Sequence, residues 1–296
     1  MPPPSPDPTA PVGVVIATMN RAPTLLTTLE KLTTLPERPP VVVVDNGSDD
    51  GTATLVAERF PAVRVLALPV NRGPLARNEG ARLLTTPYIA FSDDDSWWAP
   101  GALATAAALL DAGPRVGLLA ARVAVGQDLA PDPINDALAA SPLGTAPGLP
   151  GPAVLGFLGC AAVVRRSAFL AVGGYHPLLW IGGEETLLAY DLTAAGWHVC
   201  HAPQLTAVHH PAEAPRPHRV AHMRRNETLT AWLRRPVPVA LRQTWRLARD
   251  ARADHAARRA FGQLLPRLPG ALRARRRLPA AVEAQVRRLE AADAPG

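Results

Sequence analysis

VGVVIAT at residues 12–18 is almost wholly apolar, and it is the first of four such runs in the chain. The other three are VVVVD at 41–45, VRVLAL at 63–68 and YIAFS at 88–92. Segments with apolar residues at helical spacing lie between them, at 24–35, 51–60 and 75–84. Strands that are apolar on both faces and alternate with helices are typical of a parallel sheet covered on both sides. The pattern predicts a Rossmann-like α/β fold with a mostly parallel central sheet flanked by helices.

The composition fits a globular protein of 296 residues, with 48% hydrophobic and 19% charged residues. Cys160 and Cys200 are too few for a disulfide framework and lack metal-type spacing, so we expect buried thiols. There is no apolar run of membrane-spanning length and no secretory leader pattern, which favours a cytoplasmic protein. The stretch 127–152, rich in Pro, Gly and Ala, is predicted to be a long loop.

Charge is divided unevenly along the chain. Residues 1–233 hold 16 Lys and Arg against 20 Asp and Glu, whereas residues 234–296 hold 15 against 5. The basic character therefore belongs to the tail, and we expect no nucleic-acid partner. The tail interleaves arginines with apolar residues at helical spacing. It predicts basic amphipathic helices, which either lie on an anionic membrane through residues 234–288 or pack on the rest of the chain.

Polar residues follow every predicted strand, at the carboxyl edge where ligands bind in open α/β sheets. They include Thr18, Asn20 and Arg21 after the first run, Asp45 and Asn46 after the second, Asn71 and Gly73 after the third, and Asp93, Asp94 and Asp95 after the fourth. Any one of these loops could simply be a turn or a helix cap. Four polar loops at one edge favour a binding site.

Four segments together resemble the nucleotide-sugar half of family 2 glycosyltransferases, which have the GT-A fold. They are VVIATMNR (14–21), VVVVDNGSDDGT (41–52), NRGPLARNEGA (71–81) and FSDDDSWW (91–98). Two later segments, 158–177 and 182–197, are similar to that family's acceptor-side segments, so the resemblance covers 12–212. The dinucleotide motif GxGxxG and the phosphate-binding P-loop motif are both missing.

The resemblance implies an organisation for the whole chain. A flexible segment at 1–11 precedes a catalytic domain at 12–233, which consists of a nucleotide-sugar half (12–98) and an acceptor half (99–233). A basic helical tail follows at 234–296.

The resemblance also assigns donor and metal roles. The donor-binding residues that it implies are Thr18, Asn20, Arg21, Asp45, Asn46, Asn71, Gly73, Arg77, Asn78, Asp93 and Asp94. Asp45 would meet the nucleotide base and Asp93 the ribose. In an extended segment Asp93 and Asp95 share a face, so they could hold Mg²⁺ or Mn²⁺ against a diphosphate. His209 or His210 could complete that coordination, although a surface turn explains the pair as well.

Glu184 and Glu185 open a helical pattern, where acidic residues also favour the helix dipole. In the family, the second acid of the corresponding motif is the catalytic base, which maps onto Glu185. Glu184 would then contact the acceptor or orient the loop. The motif departs from the family at Leu187 and Asp191, where Asp and Arg are common, and in having Glu as the base.

These features predict a metal-dependent inverting glycosyltransferase that uses a nucleotide-diphosphate sugar in cell-envelope or other glycan or glycolipid synthesis. The acceptor could be a glycan, a lipid-linked sugar or a small molecule. A nucleotidyltransferase is one alternative, although the loop TMNRAPT after the first strand lacks its glycine-rich signature. The other is a non-catalytic protein that binds nucleotide or glycan, which the altered Leu187 and Asp191 leave open. The expected location is the cytoplasm, at the inner membrane face if the tail binds lipid.

Overall fold

The computed structural model describes residues 5–211 and 218–292. Within these ranges, one nine-stranded sheet is covered by helices, with further helices at the C-terminus. The predicted flexible segment 1–11 and tail 234–296 lie partly outside the described residues. In residues 5–11, the Asp7 amide donates to the Arg38 carbonyl at 2.8 Å.

The predicted parallel unit is confirmed in the first hundred residues. Its strands are β1 (Val12–Thr18), β2 (Val41–Asp45), β3 (Arg64–Ala67) and β4 (Tyr88–Asp93). Its helices are α1 (Ala22–Thr33), α2 (Thr52–Arg59) and α3 (Leu75–Leu83). The strands pair in parallel in the order β3-β2-β1-β4, so their carboxyl ends meet at one edge.

The second half extends the same sheet with pairings of both directions. Its strands are β5 (Ser96–Trp98), β6 (Val116–Val125), β7 (Ala130–Pro131), β8 (Ala162–Arg165) and β9 (His198–His209). Its helices are α4 (Ala102–Ala112), α5 (Ile134–Ala139), α6 (Arg166–Val172) and α7 (Glu184–Ala194). The order continues from β4 through β8, β6 and β9 to β5. β9 pairs with β6 along most of its length and with β5 at its C-terminal end. This pairing places the C-terminal end of β9 beside the start of β5, close to the end of β4.

The prediction that 127–152 is a loop is wrong in part, because β7 and α5 lie within it. The reason is a buried amide. Asn135 accepts from the Val123 amide and donates to the Val123 carbonyl, both at 2.8 Å, which fixes α5 against β6. The expectation for the two cysteines is confirmed, since Cys160 and Cys200 are buried free thiols.

Two apolar layers cover the sheet. On one face α1 and α4 pack through side chains such as Leu25, Leu29 and Leu110. On the other face α3, α6 and α7 pack through Ala76, Phe169 and Leu192, among others. The loops that follow the carboxyl ends of β1, β2 and β4 are rich in polar residues instead.

The C-terminal helices pack on the rest of the chain. They are α8 (Arg219–Arg234), α9 (Val237–Asp250), α10 (His255–Leu264), α11 (Leu268–Arg273) and α12 (Ala280–Ala292). Leu187 of α7 joins Leu229 of α8 and Leu264 of α10 in one apolar cluster. Tyr190 of α7 joins Val286 of α12 in another. In the described part of the chain, the helices are all too short or too polar to cross a bilayer.

Candidate active site

The ends of three strands bring predicted site residues side by side. Thr18 pairs in register with Asp45 across β1 and β2, and the preceding residue of β1 pairs with Asp93 of β4. Thr18 and Asp45 are buried, whereas the Asp93 side chain is about one third exposed. The sheet thus places a hydroxyl and two carboxylates along one edge.

Three asparagines hold the loops above this edge. Asn46 donates to the Gly73 carbonyl at 3.1 Å and accepts from the Arg72 amide at 2.7 Å, which ties the loop after β2 to the loop after β3. Asn20, in the left-handed region at φ 53°, accepts from the Asp49 amide, and Asn71 accepts from the Gly73 amide. These side chains shape the loops through backbone contacts.

Asp45 caps its own loop in this structure. Its Oδ1 accepts from the Ser48 amide at 3.0 Å and from the Ser48 hydroxyl. These are the contacts that a turn cap makes, so the turn-cap alternative is correct for Oδ1. A contact between Asp45 and a nucleotide base stays a prediction.

Asp94 and Asp95 do not continue β4 but form a turn between β4 and β5. The extended geometry expected for Asp93 and Asp95 is therefore absent. Instead, the two nitrogens of the Arg21 fork bind Asp94 at 2.7 Å and Asp95 at 3.0 Å. The turn thus directs both carboxylates to the guanidinium of Arg21, whereas Asp93 binds Arg77.

Asp94 is buried in this turn. Thr18 donates to its carboxylate at 2.9 Å, and Thr28 of α1 donates to its backbone carbonyl at 2.7 Å. Burial raises the pKa of Asp94 to about 7, although the Arg21 charge opposes the shift. Sequence reasoning missed Thr28, whose contact spans 66 residues.

Asp95 faces His209, at the end of β9. Asp95 Oδ1 lies 3.4 Å from His209 Nε2, and both atoms are buried with no hydrogen-bond partner among the described residues. Burial would raise the pKa of Asp95, but contacts with His209 and Arg21 outweigh it and lower the pKa. The His210 ring instead packs on Trp97, with ring centroids 4.7 Å apart. Of the two histidines, His209 is therefore the one whose ring points to the carboxylate.

Arg77 of α3 binds the strand edge and lies near the carboxylates of α7. Its guanidinium binds Asp93 and lies 5.6 Å from the centroid of the Tyr175 ring. A Cβ atom at Gly159 would lie 3.1 Å from Oε1 of Glu185 and 3.5 Å from Nη1 of Arg77. Burial would lower the pKa of Arg77, but Asp93 and the two glutamates outweigh it and raise the pKa. Gly159 thus leaves room for Glu185 to approach the arginine that holds Asp93.

Glu184 and Glu185 begin α7 after two glycines in the left-handed region, Gly182 at φ 111° and Gly183 at φ 89°. Glu184 is buried and accepts from the Gly182 amide at 2.5 Å, whereas Glu185 is half-buried. Burial raises the pKa of Glu185, and the neighbouring Glu184 carboxyl raises it further. Burial also raises the pKa of Glu184. A carboxylate with a raised pKa is a better proton acceptor than an ordinary one.

α8 fixes the loop that carries these carboxylates. Asn226 donates to the carbonyls of Trp180 and Gly182, in the latter case at 2.8 Å. The Trp180 ring covers Gly73, where a Cβ atom would lie 2.9 Å from the ring. Sequence reasoning missed Asn226. Its signal is a polar residue at a buried position of an amphipathic helix.

The placement of Asn78 does not favour its predicted donor contact. Its amide accepts from the Tyr175 amide and donates to the Tyr175 carbonyl, both at 2.9 Å, so it clamps α3 to the segment before α7.

The departures from the family motif have a packing explanation. Leu187 lies in the apolar cluster with α8, and Asp191 pairs with Arg234 at the end of α8.

Comparison with known proteins identifies the family. The model of "Glycosyl transferase family 2" matches residues 13–173, just over half of the chain. The chain is 30% identical over 275 residues to the N-acetylglucosaminyl-diphospho-decaprenol L-rhamnosyltransferase of two Mycobacterium tuberculosis strains, covering 77% of this chain and 88% of the relative.

Solved structures identify the fold. The mannosyltransferase PcManGT from Pyrobaculum calidifontis, in complex with GDP-Man and Mn²⁺, matches with a TM-score of 0.57 and 22% identity, over 98% of this chain and 79% of that chain. S. aureus TarS 1–349, in complex with UDP-GlcNAc, matches with a TM-score of 0.57 and 15% identity, over 93% and 83%. The family match decides against the nucleotidyltransferase and non-catalytic alternatives. The chain belongs to glycosyl transferase family 2 and is a glycosyltransferase with the GT-A fold.

Proposed function

We propose that this enzyme transfers a sugar from a nucleotide-diphosphate sugar to an acceptor hydroxyl, with inversion at the anomeric carbon and with Mg²⁺ or Mn²⁺ bound. One observation carries the proposal. Asp95 Oδ1 and His209 Nε2 lie 3.4 Å apart beside the strand ends, and both atoms are buried with no hydrogen-bond partner among the described residues. Structural neighbours described with GDP-Man and Mn²⁺ and with UDP-GlcNAc support the choice of donor and cation.

The residues at this position fit a divalent cation. Carboxylate oxygen and neutral imidazole are common ligands of Mn²⁺, and two buried ligand atoms without partners leave desolvation uncompensated unless something binds them. In the described residues, no cluster of three or more His, Cys, Asp or Glu side chains could hold a metal ion. Two protein ligands are enough when substrate phosphates and waters supply the rest. When bound, the cation would neutralise charge on the leaving diphosphate.

The donor would lie along the edge of β1, β2 and β4. In this proposal Asp45 meets the nucleotide base and Asp93, held by Arg77, meets the ribose. Arg21 orients Asp94 and Asp95 through its fork. The asparagine-tied loops, with Asn20, Asn46 and Asn71, form the walls of the pocket.

Glu185 acts as the base in a single displacement. The acceptor oxygen attacks the anomeric carbon while its proton passes to Glu185. The bond from that carbon to the phosphate oxygen breaks, and the nucleoside diphosphate leaves with the bonding electrons. The raised pKa of Glu185 suits a proton acceptor near neutral pH. Because the donor carbon is attacked once, its configuration inverts. Glu184 holds the loop through Gly182.

The acceptor side of the proposal includes an anionic membrane. The relative's name specifies a decaprenol-linked acceptor, which suggests a lipid-linked sugar and a role in envelope glycan or glycolipid synthesis. α9 exposes Val237, Leu241 and Trp245 at intervals of four residues, at 46%, 53% and 63% exposure. Exposed arginines flank them at positions 242, 246 and 249. Such a face fits the interface of an anionic leaflet, whereas the opposite face of α9 packs inward. A cytoplasmic location at the inner membrane face follows from this proposal.

Calorimetric titration of UDP, GDP and dTDP in the presence of Mn²⁺ tests the donor site. Asp95→Ala should abolish Mn²⁺-dependent binding of whichever nucleotide binds the wild type, and His209→Ala should weaken it more than His210→Ala does. Glu58→Ala, which removes an exposed carboxylate near the C-terminal end of α2, away from the carboxyl ends of the strands, is the matched control. Equal affinity in wild type and Asp95→Ala would disprove the proposed cation site.

A further inference from the structure

Arg225 of α8 is one of the largest side chains that the fold buries, with only 2% exposure. Its hydrogen bonds go to neutral amide oxygens. Nε and Nη2 donate to Asn226 Oδ1 at 3.1 and 2.8 Å, and Nη1 donates to Gln263 Oε1 of α10 at 2.8 Å. Arg234 of the same helix binds the Asp191 carboxylate instead. Within the described part of the chain, Arg225 is therefore a buried cation without an ion pair.

Such a cation is not explained by stability. Burial lowers the pKa of Arg225 to about 10 and Arg267 lowers it further, whereas the charge of Glu184 opposes the shift. An apolar side chain of similar size would fill the same space without the cost of desolvating a charge. The guanidinium therefore supplies something that packing alone does not require.

The Asn226 amide uses all of its hydrogen-bonding positions. Its oxygen accepts both donors of Arg225, and its two N–H groups donate to the carbonyls of Trp180 and Gly182. If the amide were flipped, its NH₂ group would face the guanidinium and its oxygen would face the two carbonyls, so each contact would be repulsive. Arg225 thus allows only the orientation in which Asn226 donates to the 180–183 loop.

This loop depends on contacts from outside. Gly182 and Gly183 are both in the left-handed region, and a glycine backbone has little preference of its own. Asn226 supplies the contact with the Gly182 carbonyl, and Glu184 accepts from the Gly182 amide. A shift of the loop would therefore move Glu184 and, with it, Glu185.

We propose that Arg225 is a positioning residue, which fixes the Asn226 amide and through it the loop that holds Glu185 in place. The inference rests on the proposed function, because it takes Glu185 as the base. The charge of Arg225 strengthens the two N–H bonds to the loop, since linked hydrogen bonds polarise one another. Gln263 supports the other side of the guanidinium, so α10 contributes to the catalytic loop as well. The family match ends at residue 173 and includes none of these three residues.

Asn226→Asp separates positioning from stability. The carboxylate can form an ion pair with Arg225, but it cannot donate to the loop. Hydrogen exchange of the segment 178–186 in the full-length protein, measured by mass spectrometry without substrate, should become roughly 10-fold faster or more, the value of a charge-assisted hydrogen bond. With an active donor and acceptor, kcat should fall by a similar factor while nucleotide affinity stays close to that of the wild type. The urea midpoint should change little.

Arg225→Met should have the same effects on exchange and kcat, whatever its effect on stability. Arg165→Met is the matched control. Arg165 also donates to neutral oxygens, the backbone carbonyls between Leu110 and Val116, but it pairs in register with Tyr88 at the start of β4, opposite the carboxyl edge. This variant should leave exchange of 178–186 and kcat unchanged even if it unfolds at lower urea.

Three results would overturn the inference: equal exchange of 178–186 in wild type and Asn226→Asp, full kcat in Arg225→Met, or faster exchange of the loop in Arg165→Met to the same extent as in Arg225→Met. If Arg225→Met does not fold, Asn226→Asp keeps the arginine and still decides the question. Failure of the proposed function looks different. In that case Glu185→Gln would keep wild-type transfer, whereas the exchange measurement needs neither a substrate nor a base.

Discussion

Buried charges at the carboxyl edge of the sheet keep unused hydrogen-bonding capacity, whereas Arg234 and Arg235 in the C-terminal helices are paired with carboxylates. Arg77 Nε, Asp95 Oδ1 and His209 Nε2 are buried at the edge with no hydrogen-bond partner among the described residues. In the C-terminal region, Arg234 binds Asp191, and Arg235 binds both Glu283 and Glu290. Both regions contain buried ionic groups, so burial of charge alone does not identify a site. A buried charged group with an unpaired hydrogen-bonding atom does indicate a site, because the desolvation cost of that atom is compensated only when substrate or a cation binds.

The strongest test on the carboxyl-edge side of this comparison removes the proposed base. Glu185→Gln keeps the shape of the side chain but cannot accept the proton, so transfer should fall roughly 10²- to 10⁴-fold while nucleotide affinity survives. Nucleoside diphosphate release with an active donor and acceptor measures it. Glu184→Gln is the matched control and should lose less. The reverse order would move the base to Glu184.

Breaking a paired charge should affect stability instead. Arg235→Met leaves the buried Glu283 with only the exposed Arg287 as an ion-pair partner, which should lower the free energy of unfolding by about 3–5 kcal/mol. Urea denaturation measures the change, and adding Glu283→Gln to the same variant should recover part of it. A loss well below this range, or no recovery, would show that the pair contributes little and would weaken the contrast between the regions.

The exposed face of α9 should control membrane binding without affecting either set of buried charges. Replacing Leu241 and Trp245 together by Gln should reduce sedimentation with anionic liposomes roughly 10-fold or more, since each side chain loses the gain from apolar burial. Salt should weaken the binding of the intact protein. Leu129→Gln changes an equally exposed leucine far from α9 and is the control. Salt-insensitive binding, or none, would favour helices that only pack on the protein.

A smaller effect is expected at His176, between the two regions. Burial lowers its pKa to about 4, and the charge of Arg234 adds to the shift. Between pH about 6.5 and 4 the unfolded chain therefore binds a proton that the folded chain does not, so stability falls as the pH falls through this window.

His176→Asn tests this assignment, because Asn can still accept from the Leu178 amide but does not titrate. Relative to wild type, the variant should gain stability on going from neutral pH to pH about 4. Urea midpoints across this range measure the difference. His255→Asn, at an exposed position, should change it little. A constant difference between the wild type and His176→Asn would contradict the assignment.

The sequence by itself determined the parallel unit, its carboxyl edge and the basic tail. β1, β2 and β4 could be predicted because they are apolar on both faces, and this pattern is local. The polar residues after each strand followed from the same register, since parallel strands end together. The composition of 234–296 likewise predicted helices with an arginine-rich surface, because helical spacing is a local property.

Only the tertiary structure decided which of these groups meet. The turn at Asp94 and Asp95 depends on Arg21, more than seventy residues earlier in the sequence, and the choice between His209 and His210 depends on how β9 reaches β5. Asn78 was assigned to the donor from the motif, but its amide binds Tyr175. Periodicity records which face of an element is buried, but not its partner. Contacts between distant segments depend on packing, and that packing brings Glu185 to Arg77 and turns one face of α9 inward and the other to the surface.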